Sequence, residues 1–164
     1  IPEDLSFAYR LWYDGTLGNS RAPYYVQPFR TASNYYEGLG GATTLRGILM
    51  NRVVGDDELL GNFELRWKFY RFRWIGQNFY LGLITFLDAG YIIDPIEFEN
   101  IDNIPLEDQA AFFNFDENDG VHLSAGAGLK LVMNENFVIT CDYGKAFNKQ
   151  DGDGGLYIVL NYMF

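Results

Sequence analysis

Six stretches of this chain alternate apolar and polar side chains with a period of two, and no apolar run approaches the roughly 18–20 residues that a membrane-crossing helix needs. Side chains two apart on a strand share a face, so each stretch predicts a strand with one apolar stripe. The predicted strands are Leu5–Asp14, Asn62–Tyr70, Phe79–Tyr91, Val121–Val132, Phe137–Phe147 and Gly155–Phe164. In the last of these Leu156, Ile158, Leu160, Tyr162 and Phe164 form an unbroken stripe that ends on an aromatic residue. A transmembrane strand needs roughly 9–11 residues of this kind, with aromatics at its interfacial ends. A terminal strand buried in a soluble sandwich would show the same alternation, so this segment alone leaves both environments open.

Composition narrows the class. With 164 residues, 18 glycines and an aromatic content of 18%, the chain fits a single β-domain better than a helical one. Its formal net charge of −10 argues against nucleic acid, because no basic stripe is available to neutralise phosphates. The acid concentrates in Asp94–Asp119 and Asp151–Asp153, both of which read as loops. A calcium site through Asp94, Glu97, Glu99, Asp102 and Asp116 matches no Ca²⁺-loop spacing, so the stretch reads as a solvated acidic loop. Cys141 is the lone cysteine, which excludes an intramolecular disulfide and reads as a small apolar strand residue. His122 is the lone histidine, which removes histidine-based metal sites and catalytic triads. No catalytic residue, metal site or cofactor is expected. Ile1-Pro-Glu-Asp4 is not the start of a signal peptide, so the chain reads as a mature protein or the tail of a longer one.

The connections alternate in length. Strand one to two takes about 47 residues (15–61), and strand three to four about 29 (92–120). The links near Arg73–Asn78, Met133–Asn136 and Asn148–Gly154 are short. Alternation of this kind implies one plain and one elaborated end, as in outer-membrane barrels with short periplasmic turns and long extracellular loops. The polar faces combine charges with many glycines, which weaken a strand unless something approaches closely. Lining a cavity, such glycines leave room for an inserted loop. The expected orientation therefore puts lipid against the apolar faces. Six strands do not close easily, and eight is the common lower limit. Tyr24–Phe29 and Tyr35–Gly40 could add strand, but Pro23 and Pro28 argue against central positions. The expected fold is thus an antiparallel transmembrane β-barrel of which this chain supplies the carboxy-terminal part.

One constellation carries chemistry. The long first loop contains Gly40-Gly41-Ala-Thr-Thr-Leu45-Arg46-Gly47-Ile48, a glycine-rich backbone presenting a single cation. The third strand places Asp88 on its polar face, where a carboxylate at membrane depth is costly unless paired. Arg46, with its planar fork, can hold that carboxylate bidentately, folding the loop into the barrel. The alternative leaves Arg46 solvated and pairs Asp88 with Lys68 or Arg66 across the wall.

The stretch Gly40–Ile48 followed by Asn62-Phe-Glu64-Leu-Arg66 resembles the loop-six signature of BamA/TamA-type surface-antigen barrels, in which an arginine and glycine precede an aromatic residue. Phe86-Leu-Asp-Ala-Gly90 resembles that family's F-x-D-A-G strand, and His122–Leu129 with Phe137–Gly144 resembles its penultimate strands. The terminal segment resembles its sorting signal, carried by Leu160, Tyr162 and Phe164. Ile48 departs from the pattern and removes the aromatic expected beside the arginine. The resemblance covers nearly the whole chain. It implies the last six strands of a sixteen-stranded barrel, preceded by periplasmic POTRA domains, in the outer membrane of a Gram-negative bacterium. It further implies insertion or translocation of other outer-membrane proteins without nucleotide or metal, with Gly155–Phe164 as one side of a weakly paired seam. Asn62, Glu64 and Arg66 would support the docked loop from the wall. The implied partners are outer-membrane lipids, client outer-membrane proteins and periplasmic or lipoprotein subunits. Alternatives are a structural barrel subunit of a larger complex, or the membrane anchor of a fused effector domain.

Overall fold

The computed structural model describes residues 4–15, 38–55, 57–94 and 120–161. These form one antiparallel sheet in strict sequence order, β1 (Leu5–Asp14), β2 (Asp57–Trp74), β3 (Gln77–Asp94), β4 (His122–Met133), β5 (Phe137–Ala146) and β6 (Gly155–Leu160). No helix occurs among the described residues. β1 and β6 are the two edges, and the sheet does not close on itself. The acidic-loop positions Glu97, Glu99, Asp102 and Asp116, the stretch Tyr24–Phe29, and Tyr162 and Phe164 lie outside the described residues.

The period-two alternation sets every strand, but its reach is longer than the pattern suggests. β2 begins at Asp57 rather than Asn62, which shortens the first long connection, and continues to Trp74 instead of stopping at Tyr70. Its continuation is hidden by a bulge. The register runs Lys68↔Gly82 and then Tyr70↔Leu81, leaving Phe69 as an extra residue. An inserted residue reverses which side chains face each way. Beyond it Arg71 and Arg73 pair with Tyr80 and Asn78, while Tyr70, Phe72 and Trp74 turn to the other face. There Phe72 stacks on Phe79, with ring centroids 5.1 Å apart and planes 10° apart.

The two faces differ in kind. One carries the described part of the first long loop, residues 38–55. Beneath it the β3 residues Ile84, Phe86, Asp88, Gly90 and Ile92 are buried. The other face is apolar and uncovered even on the central strands: Leu87 is 40% exposed, Leu129 57% and Tyr143 53%. Cys141 lies on this open face, as an ordinary strand residue would. Among the described residues the buried apolar cluster lies on the loop-bearing face. Leu39, Leu45, Ile48 and Val53 of the loop pack on Leu60, Ile92 and Ala146 of the sheet, with Trp12 against them. Among the described residues nothing covers the open side.

Cross-strand register sorts the loop-bearing face into rows. Arg10, Asn62, Asp88, Ser124 and Ala146 form one row. The next contains Glu64, Phe86, Gly126, Gly144 and Gly155. A third contains Arg66, Ile84, Gly128, Asp142 and Tyr157. Three consecutive glycines across β4, β5 and β6 open a slot in the second row, and the loop lies over it.

Candidate functional site: a docked arginine loop

The loop is shaped before it is docked. Leu39 and Val53 form an isolated antiparallel bridge that draws its ends together. Thr44 Oγ1 accepts from the Gly40 N–H at 2.7 Å and donates to the Gly40 carbonyl at 2.9 Å. Gly40, Gly41 and Gly47 have φ of 131°, 85° and 92°, conformations that side chains with a Cβ rarely adopt. This tight turn presents Arg46 at its tip, and Arg46 is the largest fully buried side chain described, 1% exposed.

Arg46 binds Asp88 as a fork. Nε lies 2.9 Å from Oδ2, Nη2 lies 3.0 Å from Oδ1, and the Arg46 backbone N–H also donates to Oδ2 at 3.1 Å. Nη1 reaches two further carboxylates. It donates to Asp142 Oδ2 at 3.2 Å and stands 2.8 Å from Glu64 Oε1, an ion pair whose angle misses hydrogen-bond geometry. The guanidinium carbon sits 3.5 Å from the centroid of the Phe86 ring, a cation–π contact. One loop cation therefore joins carboxylates from β2, β3 and β5. Burial works against the charged guanidinium, but the hydrogen bonds to Asp88 and the fields of Asp88, Glu64 and Asp142 outweigh it and raise the Arg46 pKa further.

The surrounding residues extend the network, although Asp142 Oδ1 and Ser124 Oγ have no hydrogen-bond partner among the described residues. Asn62 Nδ2 donates to Asp88 Oδ1 at 2.9 Å and to the Thr44 carbonyl at 2.6 Å. Its Oδ1 accepts from Arg10 Nε at 2.9 Å, and Arg10 also donates to the Thr43 carbonyl at 2.7 Å. Glu64 Oε2 lies 2.7 Å from Arg66 Nη2. Lys130, 4% exposed, adds a cation within the fields of Glu64 and Asp142. Three buried carboxylates thus face Arg46, Arg66 and Lys130, which balances the charge that burial would otherwise penalise.

Close backbone approach explains the glycines. A Cβ on Gly144 would stand 2.7 Å from the Arg46 carbonyl and 2.9 Å from the Gly47 nitrogen. A Cβ on Gly90 would stand 2.7 Å from Leu45 Cδ1. The Phe86 ring occupies the space above Gly126, so it lies along the row and offers its face to Arg46. Further along, the loop binds the β5–β6 connection: Leu49 N–H donates to the Asp151 carbonyl at 2.8 Å and Arg52 Nε to the Gln150 carbonyl at 3.0 Å. His122 Nδ1 is 2.9 Å from Asp151 Oδ1, pinning that connection to β4.

The structure brings Arg46, Asp88, Asn62 and Glu64 into one network, with Arg66 at its margin on Glu64. Arg46 is buried rather than solvated, and Asp88 pairs with it rather than with Lys68 or Arg66. Lys68 instead places its ammonium over the Tyr80 ring, 4.8 Å from the centroid. Leu45 and Ile48 are buried in the apolar cluster between loop and sheet. The aromatic that Ile48 lacks beside the arginine is supplied from β3 by Phe86. Leu160 ends β6 on the open face, 64% exposed. Arg10 and Tyr157 belong to the site although the residue pattern did not single them out, and Phe86 and Asp142, which figure in the sequence only within motif stretches, join it as direct contacts of Arg46. Asp142 was visible as a carboxylate alternating with bulky residues on a predicted strand, yet its convergence on Arg46 depends on register between distant strands.

No family model, curated protein or solved structure matches the chain.

Proposed function

We propose that this chain is the carboxy-terminal part of an outer-membrane β-barrel that inserts or translocates other outer-membrane proteins without nucleotide or metal. The observation that carries the reading is the docked loop: a single arginine, buried by a glycine-rich turn, ties together carboxylates from three strands on one face while the opposite face stays apolar and bare. Soluble monomers rarely expose a contiguous apolar patch beyond a few hundred Å². A charged network of this size is tolerable at membrane depth only where it faces an enclosed cavity and is mutually paired. The resemblance of Gly40–Ile48, Asn62–Arg66 and Phe86–Gly90 to the loop-six and strand signatures of BamA/TamA-type barrels supports the transport assignment. In this reading the open face meets acyl chains, the loop braces the lumen, and the unpaired groups along β6 form a template on which a client strand can add. The two open edges favour a second reading, a structural barrel subunit completed by partner chains.

Depletion of the full-length protein in its host separates the two. The insertion reading predicts that several unrelated outer-membrane proteins lose their folded, heat-modifiable form and accumulate as unfolded precursors. Loss of one complex alone, with other outer-membrane proteins at normal levels, contradicts insertion and favours the structural role.

A further inference from the structure

The loop does not only rest on the middle of the sheet; it also holds the edge. Gly47, immediately after the buried arginine, donates its backbone N–H to Tyr157 Oη at 2.8 Å. Tyr157 lies on β6, and its phenol reaches the loop by leaning across Gly155: a Cβ there would stand 2.5 Å from the hydroxyl oxygen. The same glycine row lets the loop come down far enough to be reached, since Gly47 lies against Gly144 and Lys145 and a Cβ on it would meet the Gly144 carbonyl carbon at 2.5 Å. Sequence distance makes the contact informative. It joins positions 110 residues apart and follows directly from where Arg46 is anchored.

β6 is the element that most needs such a tie. It has six residues against ten in β5, and among the described residues only one of its sides is paired. Its outward side chains Leu156, Ile158 and Leu160 touch no covering layer, being 65%, 72% and 64% exposed. Besides the ladder to β5, its described anchors are the Asn161 N–H bond to the Val138 carbonyl at 2.8 Å and a long bond of 3.3 Å from Thr140 Oγ1 to the Val159 carbonyl. Both lie toward its far end. Near its beginning the tie to the loop is the Tyr157 hydroxyl.

We propose that Tyr157 is a positioning residue that makes the edge strand β6 answer to the docked loop: with Arg46 seated, Gly47 holds Tyr157 and β6 stays zipped to β5; when the loop shifts, the start of β6 is released. This deepens the transport reading and rests on it for its consequence, because β6 is the edge on which a client strand would add and its release from β5 would let that edge move with the client. The loop then regulates the edge through one hydrogen bond rather than merely filling the lumen.

The test uses the full-length protein in lipid nanodiscs and amide hydrogen exchange of β6, with Tyr157→Phe, Arg46→Ala and the double variant. Tyr157→Phe removes only the hydroxyl oxygen. It is expected to raise exchange of the β6 amides bonded to β5 by about three- to tenfold, the range one lost hydrogen bond gives, with loop residues 38–55 unchanged. Arg46→Ala is expected to raise exchange in both segments. In the double variant the Tyr157→Phe increment on β6 should vanish, because the loop is no longer there to transmit; an increment that persists would mean that Tyr157 acts by packing and overturns the coupling. Gly155→Ala, which fills the path of the phenol, should reproduce Tyr157→Phe, and β6 exchange at the wild-type level in both variants would also overturn it. If β6 loosens as expected while client insertion in the same nanodiscs keeps its wild-type rate, the coupling stands and the transport reading fails.

Discussion

At the scale of single residues, the account turns on why an arginine, and no other cation, stands at position 46. Its fork spans both oxygens of Asp88 while the remaining nitrogen addresses Glu64 and Asp142, and its plane stacks on Phe86. An ammonium has neither the fork nor the stacking plane. Arg46→Lys should therefore cost about 1–3 kcal/mol through hydrogen bonds left unmade on buried oxygens. Arg46→Ala, which strips Asp88 of its ion-pair partner and leaves Glu64 and Asp142 with only Arg66 and Lys130 nearby, should cost about 3–5 kcal/mol. Urea unfolding of the full-length protein in detergent, followed by heat-modifiable gel mobility, checks the order. A lysine variant as stable as the parent would show that only charge matters. The neighbours show how far single positions could be interpreted in advance. Arg46 and Asp88 were marked by chemistry, since a lone loop cation and an inward carboxylate each demand a partner. Tyr157 gave no such sign, because a tyrosine on an apolar, aromatic-rich strand resembles every other aromatic until register places it beneath Gly47.

At the scale of elements, β2 shows how one residue sets the chemistry of a whole strand end. The bulge at Phe69 sends Arg71 and Arg73 to the loop-bearing face and Tyr70, Phe72 and Trp74 to the open face. Arg71 there pairs with Asp4. Without the bulge the strict alternation would point both arginines into the apolar surface. Deleting Phe69 should thus either flip five side chains to the wrong faces or force the strand to slip, and a one-residue slip inverts every side chain. The expected result is loss of the folded form in urea unfolding, whereas Phe69→Leu, which keeps the count, should retain it; a deletion variant folding normally would contradict the register. The same bulge explains why the strand is legible in the sequence only as far as Tyr70. Period-two reading fails where a strand inserts an extra residue, and no local signal at Trp67-Lys-Phe-Tyr70 announces it. The turns were easier. Ile75 and Gly76 sit at φ of 48° and 73°, the left-handed pair that the two-residue β2–β3 hairpin requires, and Asn134 and Glu135 take φ of 49° and 62° in the longer link from Met133 to Phe137.

At the scale of the whole molecule, everything follows from which face the loop covers. All six strands and their antiparallel order were legible because alternation is a direct imprint of a two-faced sheet. The glycines of the polar face also pointed to close approach, and Gly90 and Gly144 meet the loop as that requires. The convergence of Glu64, Asp88 and Asp142 on one guanidinium was not legible, because it depends on the register of three strands and on where the loop comes down on them. Closure and its lipid surroundings belong to the proposed function and rest on the contrast between the faces. Native Cys141 provides a probe on the open face, and Thr140, buried under the opposite one, provides its complement. The most direct measurement is collision accessibility of a spin label in the full-length protein in lipid bilayers, attached to Cys141 or to Thr140→Cys in a Cys141→Ser background. The account predicts strong broadening of the Cys141 label by oxygen, which concentrates among acyl chains, and weak broadening by a water-soluble nickel chelate. The opposite ranking, with Cys141 meeting the chelate and residue 140 meeting oxygen, would contradict it.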